Sequence, residues 1–137
     1  MTPTSNTSRP TLDQRRARHA WKAVKQAKDK QGHHREQDPK KFGGQAKKLP
    51  TRIMAASLGQ SLAFLKAKNC APGLLSELTD WIIKQMPPAP KEPTDLLERI
   101  IQGDSTFLRR ATDEVLAYLQ WLNRFAEAEG LTKEEDS

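Results

Sequence analysis

Residues 47–68 read KKLPTRIMAASLGQSLAFLKAK. Ile53, Met54, Leu58, Leu62 and Leu65 recur at helical spacing, with Phe64 beside them, and Ala55, Ala56, Ser57, Gly59 and Ala63 are small. Apolar residues at steps of three and four place one buried stripe on a helix. Pro50 suits the first turn of that helix, where a missing N–H is no loss. A glycine inside a helix costs roughly 1 kcal/mol against alanine, so Gly59 is expected where a neighbouring helix comes close. Lys66 and Lys68 at the far end complement the helix dipole. Lys47 and Lys48 precede Pro50, the wrong end for positive charge. An external anion is the expected reason for them. The stretch predicts a central helix with an anion-binding entrance at its start.

The flanking sequence is helical as well. Thr11-Leu12-Asp13-Gln14 fits a capping box, and the helix after it should run to about Lys30 and end at Gly32. Ala17, Ala20, Trp21, Val24 and Ala27 give its apolar stripe, and docking through Trp21 and Val24 is expected. Another face carries Arg15, Arg18, Lys22 and Lys25, with Arg16 and Lys28 beside it. Residues 32–46, GHHREQDPKKFGGQA, contain glycines, a proline and mixed charge, and read as a basic loop bearing Lys40 and Lys41. Phe42 is expected to pin that loop to the core; the alternative is that it stacks on a nucleic-acid base.

Toward the C-terminus, residues 71–86 predict a third helix with Leu74, Leu75, Leu78, Trp81 and Ile82 inward, stopped by PPAP at 87–90. Thr94 and Asp95 open a short helix closed by Gly103, and Asp104 or Ser105 starts the last and longest one. Leu108, Ala111, Val115, Leu119, Leu122 and Phe125 mark its buried face, and Gly130 ends it. No segment alternates at period two for long enough to form a strand. The expected fold is all-α, a single-domain bundle of five to six helices over residues 11–130. A disordered tail at 1–10 and a charged tail at 131–137 flank it.

Charge distribution bears most directly on function. The 137-residue chain has a net charge of +6. Residues 1–52 hold 14 Lys and Arg against 4 Asp and Glu, a balance of +10, whereas residues 53–137 hold 9 against 13. Like charges repel, so the basic third is expected to meet an acidic partner, RNA or DNA first and an acidic protein surface second. Mean hydropathy is −0.78. The N-terminus lacks an apolar targeting core, and no run approaches the roughly 20 apolar residues of a membrane helix. A soluble, cytoplasmic protein is expected, with no membrane partner. The one cysteine, Cys70, forms no internal disulfide; it reads as a helix-junction residue.

Catalytic chemistry finds no motif. There is no Walker-type phosphate loop, no Gly-x-Ser-x-Gly elbow and no zinc spacing. Glu77, Asp80, Asp113 and Glu114 look like solvated-face carboxylates. His33 and His34 are adjacent, so their side chains should diverge, and no cysteine or spaced carboxylate completes a metal set. No catalytic residue, metal or cofactor is expected.

Beyond these residue-level readings, the chain resembles a known family. Phe42, Gly43, Gly44, Lys47, Lys48, Leu49, Pro50, Ile53, Leu58, Gln60, Leu62, Phe64, Leu65 and Lys68 follow in order the pattern of the small α-helical subunit of the type III-B CRISPR effector, the fifth subunit of the Cmr complex. The closing helix, ATDEVLAYLQWLNRFAEA from Ala111 to Ala128, and an arginine-rich opening helix are similar to that family too. The resemblance covers roughly residues 11–128. One departure is local. The family often has Asn-Gly before the leucine of the central helix, where this chain has Ala56-Ser57 and places Gly59 after Leu58.

The resemblance implies a non-catalytic subunit that stacks in copies along the effector backbone, contacts other subunits, and lines the groove holding guide RNA paired with target RNA. Lys and Arg would hold phosphates without reading sequence, and base pairing would supply specificity. The candidate RNA-binding residues are Arg15, Arg16, Arg18, Lys22, Lys25, Lys40, Lys41, Lys47, Lys48 and Arg52. Arg109, Arg110 and Arg124, near acids on the last helix, are assigned to subunit contacts. Two rivals remain. An independent nucleic-acid-binding regulator would need a recognition helix offering Asn, Gln or Arg to base edges. A structural adaptor would bind an acidic protein surface and have little affinity for RNA.

Overall fold

The computed structural model describes residues 9–132. They form helices α1 (Leu12–Lys28), α2 (Pro39–Ala56), α3 (Leu58–Lys68), α4 (Pro72–Gln85), α5 (Leu96–Gln102) and α6 (Ser105–Ala128), with a single 3₁₀ turn at Gly32–His34. The all-α expectation holds, with no strand among the described residues. Most of the two expected tails lies outside the described residues. Leu131 and Thr132 are described, and both are buried.

Local chemistry explains most boundaries. The Thr11 hydroxyl accepts from Gln14 N–H while the Gln14 side chain accepts from Thr11 N–H, completing the capping box. Asp38, Asp95 and Asp104 cap α2, α5 and α6 by accepting a backbone N–H two or three residues on. Asn69 ends α3 in the left-handed conformation that closes helices.

Helix α1 lies along α6, and Ala20, Ala23, Val24 and Ala27 form its buried seam. Trp21 contributes less than expected. It is 41% exposed and meets Phe125 edge-on, with ring centroids 5.0 Å apart. Three alanines in the seam let the two helices approach closely, which leaves the bulky indole at the margin.

The segment read as a loop over 32–46 is different. From Pro39 it is the first half of α2. Phe42, Ala46, Leu49 and Ile53 recur at steps of four, three and four, and all are at most 3% exposed. Burying such side chains contributes on the order of 1.5–3 kcal/mol each for the larger ones. That outweighs the cost of interior glycines and of Pro50, which lies well inside α2 rather than in a first turn. An interior proline costs about 3 kcal/mol. Gly43 has a packing reason: a Cβ there would lie 2.5 Å from the Leu131 carbonyl oxygen. Phe42 is anchored in the core as expected, edge-on to His34.

The single central helix expected over 50–68 is two helices, broken at Ser57. Ser57 has φ 104° and ψ 160°, a region almost reserved for glycine that costs of order 1–3 kcal/mol in other residues. Its N–H closes α2 on the Ile53 carbonyl, and its hydroxyl accepts from Gln60 N–H to open α3. This is the position where the resembling family often carries glycine. Gly59 therefore belongs to the first turn of α3, not a mid-helix position, and a Cβ there would touch Ile100 at 3.4 Å. Leu58, Leu62 and Leu65 are buried as expected, whereas Met54 is 75% exposed.

Candidate nucleic-acid interface

Two rows of cations emerge from this frame. On α1, Arg15, Arg18, Lys22 and Lys25 are all exposed, and their spacing of three and four residues puts them on one face. The Lys25 ammonium lies 5.1 Å from the centroid of the Trp21 ring. Trp21 and Lys25 thus form an amphipathic rim beside the row.

Arg16 is not part of that row. One position along an α-helix turns a side chain by about a quarter of a circle, and this turn points Arg16 into the bundle. Its Nε and Nη2 donate to the two oxygens of Glu114 at 2.6 and 2.9 Å, and Nη1 donates to Asp13 at 3.1 Å. Trp81 Nε1 donates to the same carboxylate at 2.9 Å. Burial pushes the Glu114 carboxyl up, but the hydrogen bonds from Arg16 and Trp81 outweigh it and hold the group below its usual value. Glu114 is therefore an internal anchor and not a solvated-face residue. Asp113 is exposed, as expected.

The second row runs along α2. Lys40 and Lys47 are seven residues apart, and Lys41, Lys48 and Arg52 follow at seven and four, so both sets keep to neighbouring lines on the helix. Lys40, Lys41, Lys47 and Lys48 are exposed and Arg52 is half-buried. Lys47, Lys48, Thr51, Arg52 and Ala55 line a shallow groove of about 530 Å³. The Arg52 guanidinium lies 4.2 Å over the Phe64 ring and donates to Gln45 Oε1 at 2.9 Å. Lys68 approaches the same ring at 5.7 Å. The expected entrance at a helix N-terminus is corrected by the early start of α2. Lys47 and Lys48 are mid-helix, so the helix dipole gives them no anion site, and their contribution is to a row of side-chain charge.

Sequence reasoning missed a buried polar cluster. His33 and His34 do not diverge: both Nε2 atoms meet Glu77 Oε2, at 3.1 and 2.7 Å. Glu77 is 5% exposed. Burial pushes its carboxyl up, and the hydrogen bonds from His34 and His33 more than reverse this and hold it low. His19 joins from α1, with Nε2 2.7 Å from Asp80 Oδ2 and 3.9 Å from Glu77 Oε1, and Nδ1 2.7 Å from the Tyr118 hydroxyl. All three histidines of the chain meet one carboxylate that lies 43 or more residues away. Glu77 follows Leu74 at helical spacing, a weak hint that it faces inward; nothing local announces its partners.

Among the cations assigned to subunit contacts, Arg109, Arg110 and Arg124 are exposed, and Arg124 pairs with Glu127 at 3.3 Å. No helix among the described residues is long and apolar enough to cross a membrane. Residues 12–129 match the family model described as CRISPR-associated protein (Cas_Cmr5). No curated protein matches the chain.

Proposed function

Because the chain belongs to the Cas_Cmr5 family of CRISPR-associated proteins, and is thereby a small subunit of the type III-B complex, we propose that it holds RNA within that assembly without catalysing a reaction. The observation that supports this reading is the pair of cationic rows, exposed Arg15, Arg18, Lys22 and Lys25 on α1 and exposed Lys40, Lys41, Lys47 and Lys48 with half-buried Arg52 on α2. Side chains of this kind bind phosphates with no regard to sequence, which suits a subunit beside an RNA duplex whose specificity comes from base pairing. Arg16 is committed to Glu114 and belongs to the scaffold. Exposed Met54 and Ile101, 75% and 73% accessible, supply apolar surface for neighbouring subunits or for further copies of the chain.

A salt-series titration against single-stranded and duplex RNA, with DNA as control, tests the proposal. Each phosphate contact contributes about 0.7–0.9 to the slope of log affinity against log salt. Replacing Arg15, Arg18, Lys22 and Lys25 by alanine should flatten that slope by roughly 3. An unchanged slope in the fourfold variant rules out the α1 row as a phosphate contact. Tight binding to partner subunits with no RNA affinity at low salt would favour the adaptor reading instead.

A further inference from the structure

The cluster around Glu77 has no place in RNA holding. Two sets of potential ligands meet there, His33, His34 and Glu77, and His19, Glu77 and Asp80, each with its donor atoms mutually within 4.8 Å. Hydrogen-bond chemistry separates the two. The Gly73 N–H donates to Gln37 Oε1 at 2.9 Å, so the other end of that amide is its NH₂. The NH₂ faces His34 Nδ1 at 2.6 Å and must donate to it. His34 therefore carries its proton on Nε2 and donates it to Glu77 Oε2. A nitrogen that bears a proton has no lone pair for a metal, and His34 is fully buried. Its role is to orient the carboxylate.

His19 has no such lock. Its Nδ1 faces the Tyr118 hydroxyl, a group that accepts as readily as it donates. Moving the ring proton from Nε2 to Nδ1 keeps that hydrogen bond and frees the Nε2 lone pair toward Glu77 Oε1 and Asp80 Oδ2. A ligating histidine whose other nitrogen is held, and a ligating carboxylate that is itself hydrogen-bonded, are the outer-shell pattern of protein metal sites. His19, His33, Glu77 and Asp80 also line one cleft of about 240 Å³ that opens to solvent, with Lys22 and Lys84 on its rim. Asp80 already holds a cation: Lys84 Nζ is 2.8 Å from Oδ2 on a half-exposed side chain that is able to swing away.

We propose that this cleft binds one divalent transition ion of the zinc class, through His19 Nε2, Glu77 Oε1 and Asp80 Oδ2, with water completing the coordination and His33 holding the other Glu77 oxygen from the rim. An imidazole nitrogen with two carboxylates suits zinc, cobalt or nickel and not the all-oxygen preference of magnesium or calcium. The ion ties α1 to α4.

The test is titration of the tag-free full chain with Zn²⁺ by calorimetry and with Co²⁺ by visible absorption. One equivalent is expected, with the intense d–d bands of a four-coordinate site. Asp80→Asn, near-isosteric and half-exposed, and His19→Ala should lose stoichiometric uptake while circular dichroism shows the helices intact. His33→Ala should weaken it by about 10-fold or more, and Lys84→Ala should tighten it by removing the competing ammonium. No stoichiometric uptake by the wild type overturns the proposal, as does uptake that Asp80→Asn leaves unaltered. Uptake retained in His19→Ala but lost in His34→Gln would place the ion on the other histidine pair and overturn it as well.

Discussion

Replacing Glu114 by glutamine tests whether Arg16 belongs to the scaffold or to the RNA-facing surface. The substitution keeps the shape and removes the charge. Three donors converge on this carboxylate, two from Arg16 and one from Trp81. Glutamine retains one acceptor oxygen but sets its own NH₂ against a guanidinium or indole N–H. Hydrogen bonds to charged groups contribute about 1.5–3 kcal/mol each, and removing one partner of a fully buried ion pair costs about 3–5 kcal/mol. Here Arg16 is 18% exposed and keeps Asp13 as an alternative partner, so the expected loss is smaller, about 2–3 kcal/mol. For a domain of this size that lowers Tm by about 10 °C.

The assay is thermal unfolding followed by circular dichroism across pH. The Glu114 carboxyl is held below its ordinary 4.5 in the folded chain. Its contribution is fully present above the unfolded value and is lost as pH falls through the lower, folded one. The difference between wild type and Glu114→Gln should be constant from neutral pH down and close only below 4.5. An Arg16→Met variant should show a coupling of about 2 kcal/mol with Glu114→Gln in a double-mutant cycle and leave the RNA salt slope nearly unchanged. A difference below about 0.5 kcal/mol at neutral pH, the level of an ordinary surface change, would refute the anchor. A large fall in salt slope for Arg16→Met would return that residue to the RNA surface.

Two further substitutions probe the backbone. In Gly73→Ala the new Cβ would run into the His34 ring nitrogen and lie 2.6 Å from Gln37 Nε2; overpacking and a broken hydrogen bond should cost about 3 kcal/mol, read as a lowered urea midpoint, and an unchanged midpoint would show that the ring and amide have room to move. Ser57→Gly should stabilise by up to about 1 kcal/mol, because relief of 1–3 kcal/mol of strain exceeds glycine's entropy cost and the weaker cap. Ser57→Ala, which keeps the strain and loses the cap, should destabilise by about 1 kcal/mol. A glycine variant less stable than wild type would contradict the strain assigned to Ser57.

What the sequence by itself determined is what short-range physics controls. The capping box at Thr11 and Gln14, the aspartate caps before α5 and α6, and the apolar stripes of α4 and α6 depend on residues within a turn or two of one another. All were legible, as were the exposed positions of Arg15, Arg18, Lys22 and Lys25. The order of residues from Phe42 to Lys68 sufficed to mark the family, although the same stretch misled on structure. Gly43, Gly44 and Pro50 are poor helix formers taken alone, and only burial of Phe42, Ala46, Leu49 and Ile53, with Leu131 pressed onto Gly43, makes 39–56 one helix. Tertiary structure alone also decided which polar side chains are spent internally. Arg16 finds Glu114 across 98 residues and His34 finds Glu77 across 43. The pairing of such polar groups depends on which helix faces which, and no local spacing carries that information. The lysines and arginines of the two rows stay at the surface, Arg52 half-buried, whereas the histidines are drawn together because a buried carboxylate requires donors.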